Sequence, residues 1–307
     1  MPHNLPRLLG IGLLLGLILF APGHNRTEAA SVAFDPERAL AHIAALAGKI
    51  GIRQVGTPNE GRAAVYLATQ FVALGLDTRI QPLPVYHLYS QNVIAVKPGQ
   101  DAEAGTIYIG AHYDSVQWGP GANDNASGTA VLLEAARLLA NETFSPTLTF
   151  IAFGGEEMGL GGSSYFAGYL PPLEQYVARG MINLDCVGWG TVQAIGFVNE
   201  SADRLVQKAV DNAAALNIPV TLKKVVNSDH ASFSQVKIPA ILLYSYAPDE
   251  QVCGPYYHQS TDTPETVDVA QMERVAQILL ATVRDLADDL PERTLKYLWL
   301  PMQRGGQ

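Results

Sequence analysis

Thr106-Ile107-Tyr108-Ile109, running directly into Gly110-Ala111-His112-Tyr113-Asp114-Ser115, sets the terms for the whole chain. Four residues rich in β-branched and aromatic side chains read as a buried strand, and the strand ends in a histidine and an aspartate. The same event recurs downstream. An apolar run at 148–153 gives way to Gly154-Gly155-Glu156-Glu157-Met158-Gly159-Leu160, and a run at 181–184 ends on Asp185. Further strands are predicted at 78–81, 91–96, 193–197, 220–225 and 240–244, eight candidates in all.

Helical patterns separate these runs. Asp35-Pro36 reads as a helix start, with Pro36 at the first helical position and Leu40, Ile43 and Leu46 at helical spacing. Other helices are predicted at 60–74, stopped by Gly75, and at 127–140 and 202–216. The last is the clearest: Val269, Met272, Ala276, Leu279, Val283 and Leu286 form one apolar stripe. Alternation of strands and helices predicts an α/β fold, a three-layer α/β/α sandwich around a twisted, mostly parallel mixed sheet. The predicted domain runs over 35–290 without repeat, linker or room for an accessory insertion between Pro98 and Thr106.

Composition narrows the function. With 307 residues, 48% hydrophobic and 16% charged, the chain can bury a full-sized core. A net charge of −9 with no basic run excludes a nucleic-acid partner of the usual kind. Arg7, the apolar run 8–20 and Ala21-Pro22-Gly23 read as a signal peptide or an N-terminal anchor over 1–23. Both readings place the folded part outside the cytosol, and any membrane contact would come through this segment. Residues 291–307 form a C-terminal tail. The two cysteines, Cys186 and Cys253, leave two readings open: a disulfide beside the ionisable residues, or two buried thiols.

Five segments concentrate the ionisable chemistry at strand ends, where open α/β sheets bind ligands. Besides the three above, they are Gly121-Ala122-Asn123-Asp124-Asn125-Ala126-Ser127-Gly128 and Tyr256-Tyr257-His258-Gln259-Ser260-Thr261-Asp262-Thr263. Taken singly, His112 reads as a structural histidine, Asp124 as turn chemistry and Glu156-Glu157 as a solvated pair. Jointly they read differently, because two adjacent carboxylates are hard to explain in an apolar, glycine-rich setting. Two histidines and three carboxylates suit two zinc ions if one carboxylate bridges them.

In these segments and their order the chain resembles the co-catalytic di-zinc aminopeptidases, relatives of the glutamate carboxypeptidases, glutaminyl cyclases and the transferrin receptor ectodomain. The resemblance covers roughly residues 35–286. It implies Asp124 as the bridging ligand, His112 and Asp185 completing one shell, and Glu157 and His258 completing the other. It further implies Glu156 as general base, Asp114 as the carboxylate that orients His112, and a cis peptide after Asp124. Tyr257 falls where the family places an oxyanion-stabilising phenol. His230, in Ser228-Asp229-His230-Ala231-Ser232-Phe233, falls near the family's substrate site, although Ser232 replaces the usual proline. The expected activity is removal of N-terminal residues from a peptide substrate. A carboxypeptidase or dipeptidase is the alternative on the same scaffold and would need Arg or Lys in the pocket, for which Arg179, Lys223, Lys224 and Lys237 are available. A glutaminyl cyclase, which uses one zinc, and a receptor-like domain, which loses ligands, fit less well, since all five ligand positions are filled.

Overall fold

The computed structural model describes residues 33–248 and 253–289 besides Met1. The leader and tail readings fall outside the described residues. Within Ala33–Gln307 the chain starts as expected: Asp35 accepts hydrogen bonds from the Glu37 and Arg38 amides and caps helix α1, Pro36–Ile43, which continues in wider turns to Ile50. Helix α2, Pro58–Ala73, begins two residues before the predicted start. Thr57 caps it and Pro58 opens it, while Glu60 reaches back to the Gly56 amide, a reciprocal cap that the reading from Glu60 missed.

Eight strands then form one sheet in the order β1-β2-β4-β3-β5-β8-β6-β7. They are β1 Asp77–Val85, β2 Leu88–Lys97, β3 Thr106–His112, β4 Thr147–Phe153, β5 Gly180–Leu184, β6 Val192–Phe197, β7 Val220–Lys224 and β8 Ala240–Tyr246. The interior β4-β3-β5-β8 pairings are all parallel, as are β6 and β7, whereas β1-β2, β2-β4 and β8-β6 are antiparallel. This is the mixed, mainly parallel sheet expected from sequence. The main differences are at one edge. β1 and β2 extend past their predicted ends to make a hairpin turning at Tyr86 and His87. The predicted strand stops at Gln81, whereas β1 runs on through Pro82 and Pro84, because an edge strand has one side free of ladder bonds and tolerates them.

Both faces of the sheet are covered, which is why its strands read as continuous apolar runs. Ile107, Ile109 and Ala111 of β3 point to the face packed by α1, α2, α3 (Gly128–Leu139), α6 (Asp203–Ala215) and α8 (Val269–Asp288). Tyr108 points to the other, where α4 (Gly161–Tyr169) and α7 (His230–Gln235) supply Phe166 and Phe233, and α5 (Pro172–Val177) lies close in sequence. The stripe along α8 is buried from Met272 to Leu286, as its periodicity required. No helix among the described residues is long and apolar enough to cross a membrane.

His42, on the buried side of α1, gives this core a pH dependence. Its Nδ1 sits 2.7 Å from the Tyr66 hydroxyl, and burial pulls its pKa from 6.5 to about 4. A histidine depressed by folding takes up a proton more readily when unfolded, so stability falls as pH drops through the interval from 6.5 toward 4. Over that interval the unfolding free energy of the wild type is expected to drop by roughly 3 kcal/mol relative to a His42→Gln variant. Urea titrations of both proteins at pH 7, 5 and 4 measure this. Parallel loss of stability in the two would show that His42 is not the titrating group.

Candidate metal centre

Strand register delivers the first four carboxylates to one place. His112 and Phe153 are partners on the parallel pair β3-β4, so the segments after them leave the sheet side by side. Asp114, fully buried two residues past His112, uses that proximity: its Oδ1 accepts from the Glu156 amide (3.1 Å) and its Oδ2 from the Glu157 amide (3.2 Å). Its Oδ1 also lies 3.5 Å from His112 Nδ1. One carboxylate therefore fixes the backbone of the acidic pair and faces the ring of the neighbouring histidine. β5, on the other side of β3, ends at Asp185.

Asp124 comes from the loop between β3 and α3. Gly121, left-handed at φ 60°, turns this loop so tightly that a Cβ there would lie 2.2 Å from the Asp124 carbonyl oxygen. The Asp124–Asn125 peptide is cis. Asn125 ties the loop to the end of β5 by donating to the Leu184 carbonyl and accepting from the Gly128 and Cys186 amides. On the opposite side, Asp262 accepts from the Asn123 amide (2.7 Å) and the Asp124 amide (3.0 Å).

These elements converge as two overlapping groups. His112 Nε2 lies 3.2 Å from Asp124 Oδ1 and 3.5 Å from Asp185 Oδ1. His258 Nε2 lies 3.3 Å from Asp124 Oδ2 and 3.0 Å from Glu157 Oε2. Asp124 is common to both and offers one oxygen to each. Bonds of about 2.0–2.1 Å in a tetrahedron put neighbouring donors about 3.3–3.4 Å apart. Asp124 Oδ2, Glu157 Oε1, Asp185 Oδ1 and His258 Nε2 are buried without a hydrogen bond, a costly arrangement for polar atoms unless a cation takes them. The donor set and its spacing fit zinc.

The electrostatics point the same way. Burial, then the Asp124 charge, pushes Glu157 up to about 7, while burial raises Glu156 well above the carboxylate range against the opposing pull of His112, with Asp229 and Asp185 adding to the rise. Burial pulls His112 down, but Glu156, Asp185, Asp114 and Asp124 together hold it well above its ordinary value. Asp124 and Glu157 raise His258 to about 10. A cluster this rich in carboxylate carries an excess of negative charge that a cation offsets.

Glu156 faces a cleft of about 360 Å³, lined also by Asp124, Glu157, Asp185, Tyr257 and the 223–228 segment. Tyr257 stacks on the His258 ring, with centroids 3.7 Å apart. His230 is not brought to the cluster: it is fully buried, outside the cleft lining, with Nε2 3.0 Å from the Val225 carbonyl oxygen. Its neighbour Ser228 is the one that reaches the site, donating to Asp185 Oδ2 at 2.7 Å and accepting from Asn183. Cys186 and Cys253 are joined in a disulfide, with Cα atoms 5.1 Å apart, which settles the two readings of the cysteines.

Three supports escaped the sequence reading: Ser228, Asp262 and Arg53. The Arg53 guanidinium is fully buried and donates to the Gly51, Tyr113, Pro120 and Gly121 carbonyls, gathering the chain on both sides of the β3 loop. Burial lowers its pKa to about 10, with Asp114 foremost among the carboxylates opposing the shift, so it is cationic at neutral pH. Its position beside Gly51, before any predicted strand, gave no hint of a role.

Residues 92–283 match the model of Peptidase family M28. Aminopeptidase YwaD of Bacillus subtilis (strain 168) is 32% identical over 200 residues, 63% of this chain and 44% of its own. The chain spans about half the length of the relatives it matches at this identity. Among solved structures, BSAP, a zinc aminopeptidase from Bacillus subtilis, superposes with a TM-score of 0.78 at 20% identity, covering 82% of this chain and 95% of its own. The glutaminyl cyclase of Porphyromonas gingivalis gives 0.73 at 21% identity over 82% and 98% of the two chains. At such identities the superpositions establish the fold.

The role of Asp262 can be measured through the metal. Asp262→Asn keeps the shape but replaces one of the two acceptors with an amide NH2 whose hydrogens oppose a backbone N–H. Zinc affinity is expected to fall about 10- to 100-fold, with the far-UV circular dichroism unchanged. Chelator competition reads this, and an affinity within twofold of wild type would remove Asp262 from the set of positioning residues.

Proposed function

Because the chain belongs to Peptidase family M28, we propose that it is a zinc-dependent aminopeptidase, holding two ions through His112, Asp124 and Asp185 on one side and Asp124, Glu157 and His258 on the other. The observation that carries this reading is the pair of donor groups sharing Asp124, each spaced for one ion, with buried atoms otherwise lacking partners. A glutaminyl cyclase needs one ion only, and a complete second shell has no use in it. The substrate is a peptide with a free amino terminus, whose ammonium the carboxylates lining the cleft would receive.

Bound zinc would polarise the scissile carbonyl and lower the pKa of water from about 15.7 toward about 7. Glu156 accepts the proton of the attacking water and passes it to the departing amine. The Asp114 carboxylate holds the Glu156 amide and so fixes where that base stands. Tyr257 lies on the cleft wall, and burial, followed by the charges of Asp124 and Glu157, raises its pKa, so it is a neutral donor for the developing oxyanion. The disulfide supports work in an oxidising compartment outside the cytosol.

This reading is tested by metal content and by activity. Elemental analysis should find two zinc per chain, and chelation should abolish hydrolysis of Leu-anilide. Glu156→Gln should keep both ions while losing about 10²- to 10⁴-fold in kcat, the range for a positioned proton-transfer group. Turnover close to wild type in that variant would rule out Glu156 as base, and cleavage confined to N-acetylated peptides would replace the aminopeptidase with a carboxypeptidase.

A further inference from the structure

The cleft has a second end that the proposed chemistry does not use. From Asp124, Glu156, Glu157 and Asp185 it extends along the sheet to β7, where Lys223 and Lys224 line it. Register places Lys223 beside Gly196 of β6, and Gly196 beside Leu242 of β8. Gly196 and Ala194 leave the face between β7 and β8 low. A Cβ at Gly196 would come within 3.1 Å of Leu242 Cβ and Val225 Cγ2. Over this floor the Lys223 ammonium sits 3.8 Å from the centroid of the Tyr246 ring, which holds the cation in place without neutralising it. Neither lysine pairs with a carboxylate among the described residues.

Tyr244 is the second observation. It lines the same cleft, lies 5.9 Å from Tyr246 ring to ring, and is almost wholly buried. Its hydroxyl has no hydrogen-bond partner. Burial pushes the phenol up to about 12, so it is a neutral donor in want of an acceptor. Of the cations the sequence offered for a terminal carboxylate, Arg179 is used up by the Ala104, Leu286 and Asp289 carbonyls, and Lys237 stands outside the cleft lining.

We propose that this end of the cleft recognises a carboxylate on the substrate, held by the Lys223 ammonium with the Tyr244 hydroxyl as second donor. This rests on the aminopeptidase reading for the orientation of the substrate. The cleft is then bipolar: its acidic end receives the amino terminus, and its basic end receives an anion on the residue that fills the pocket. Two sources supply that anion. One is the side chain of an N-terminal Glu or Asp, and the other is the α-carboxylate of a dipeptide.

Two pairs of ligands separate the sources without turnover. Calorimetry on the zinc-loaded full chain carrying Glu156→Gln compares glutamate with glutamine, and Leu-Gly with its amide. Hydrolysis of Glu- and Gln-anilide, and of Leu-Gly and its amide, gives the same ratios in kcat/KM. One of the two pairs is expected to show about a tenfold preference for the anion, the scale of a charge-assisted hydrogen bond. The Glu/Gln pair assigns a side chain, and the acid/amide pair assigns a terminal carboxylate. Lys223→Met should bring that ratio to about one, Tyr244→Phe should reduce it, and Lys223→Arg should keep it. Ratios near one in the wild type, or a ratio that survives Lys223→Met, would overturn the proposal. A normal binding ratio in a protein that cleaves none of these substrates would leave the carboxylate site standing and end the peptidase reading instead.

Discussion

The Asp114 carboxylate is the constraint on which the rest of the centre depends. It is fully buried, and both of its oxygens are committed to backbone amides of the neighbouring strand's exit loop. Because His112 and the Glu156-Glu157 pair leave adjacent parallel strands, a short side chain placed two residues after His112 can span them. Moving it would displace Glu157, Glu156 and the His112 imidazole together. Fixing several groups through one buried acceptor costs a buried negative charge. Arg53, gathering the Tyr113 and Gly121 carbonyls around the same loop, is the buried cation that offsets it.

The sheet was legible because burial on both faces writes strands as continuous apolar runs, and the α8 stripe was legible because packing on one face writes a helix as a period. Legibility failed where an element answers to its place in the sheet. Pro82 and Pro84 belong in β1 only because β1 is an edge strand, and position in a sheet is not a local property of sequence. The start of α2 is a different case. Thr57, Pro58 and Glu60 carry a complete capping pattern, so that boundary is a local property of the sequence.

The same division runs through the centre. The proposed ligands are conspicuous because histidines and carboxylates are unusual at the ends of buried strands, where desolvation penalises them. The residues that position them are ordinary in type and acquire a role only through distant partners. Asp262 lies 138 residues from the Asp124 amide it receives, and Ser228 lies 43 residues from Asp185. Within Ser228-Asp229-His230 the sequence drew attention to the histidine. The fold turns His230 inward to the Val225 carbonyl and gives the serine to the site.

His258 presents the hardest positioning problem, because it sits on a loop with no ladder or helix to hold it. Both Cys253 and His258 adopt left-handed backbone angles, φ 70° and 59°, which non-glycine residues take only when their surroundings require it. Gly254, also left-handed, packs so closely on the Trp189 ring that a Cβ would lie 2.4 Å from it. The loop is therefore pinned at several points in place of regular structure. The disulfide ties Cys253 to the residue after Asp185, Asn123 donates to the Cys253 carbonyl, and Asp262 draws the far end onto the Asp124 amide. Each anchor leads to a segment that carries another proposed ligand. The loop thus takes its position from the elements that carry the other proposed ligands, which holds His258 against Asp124 and Glu157.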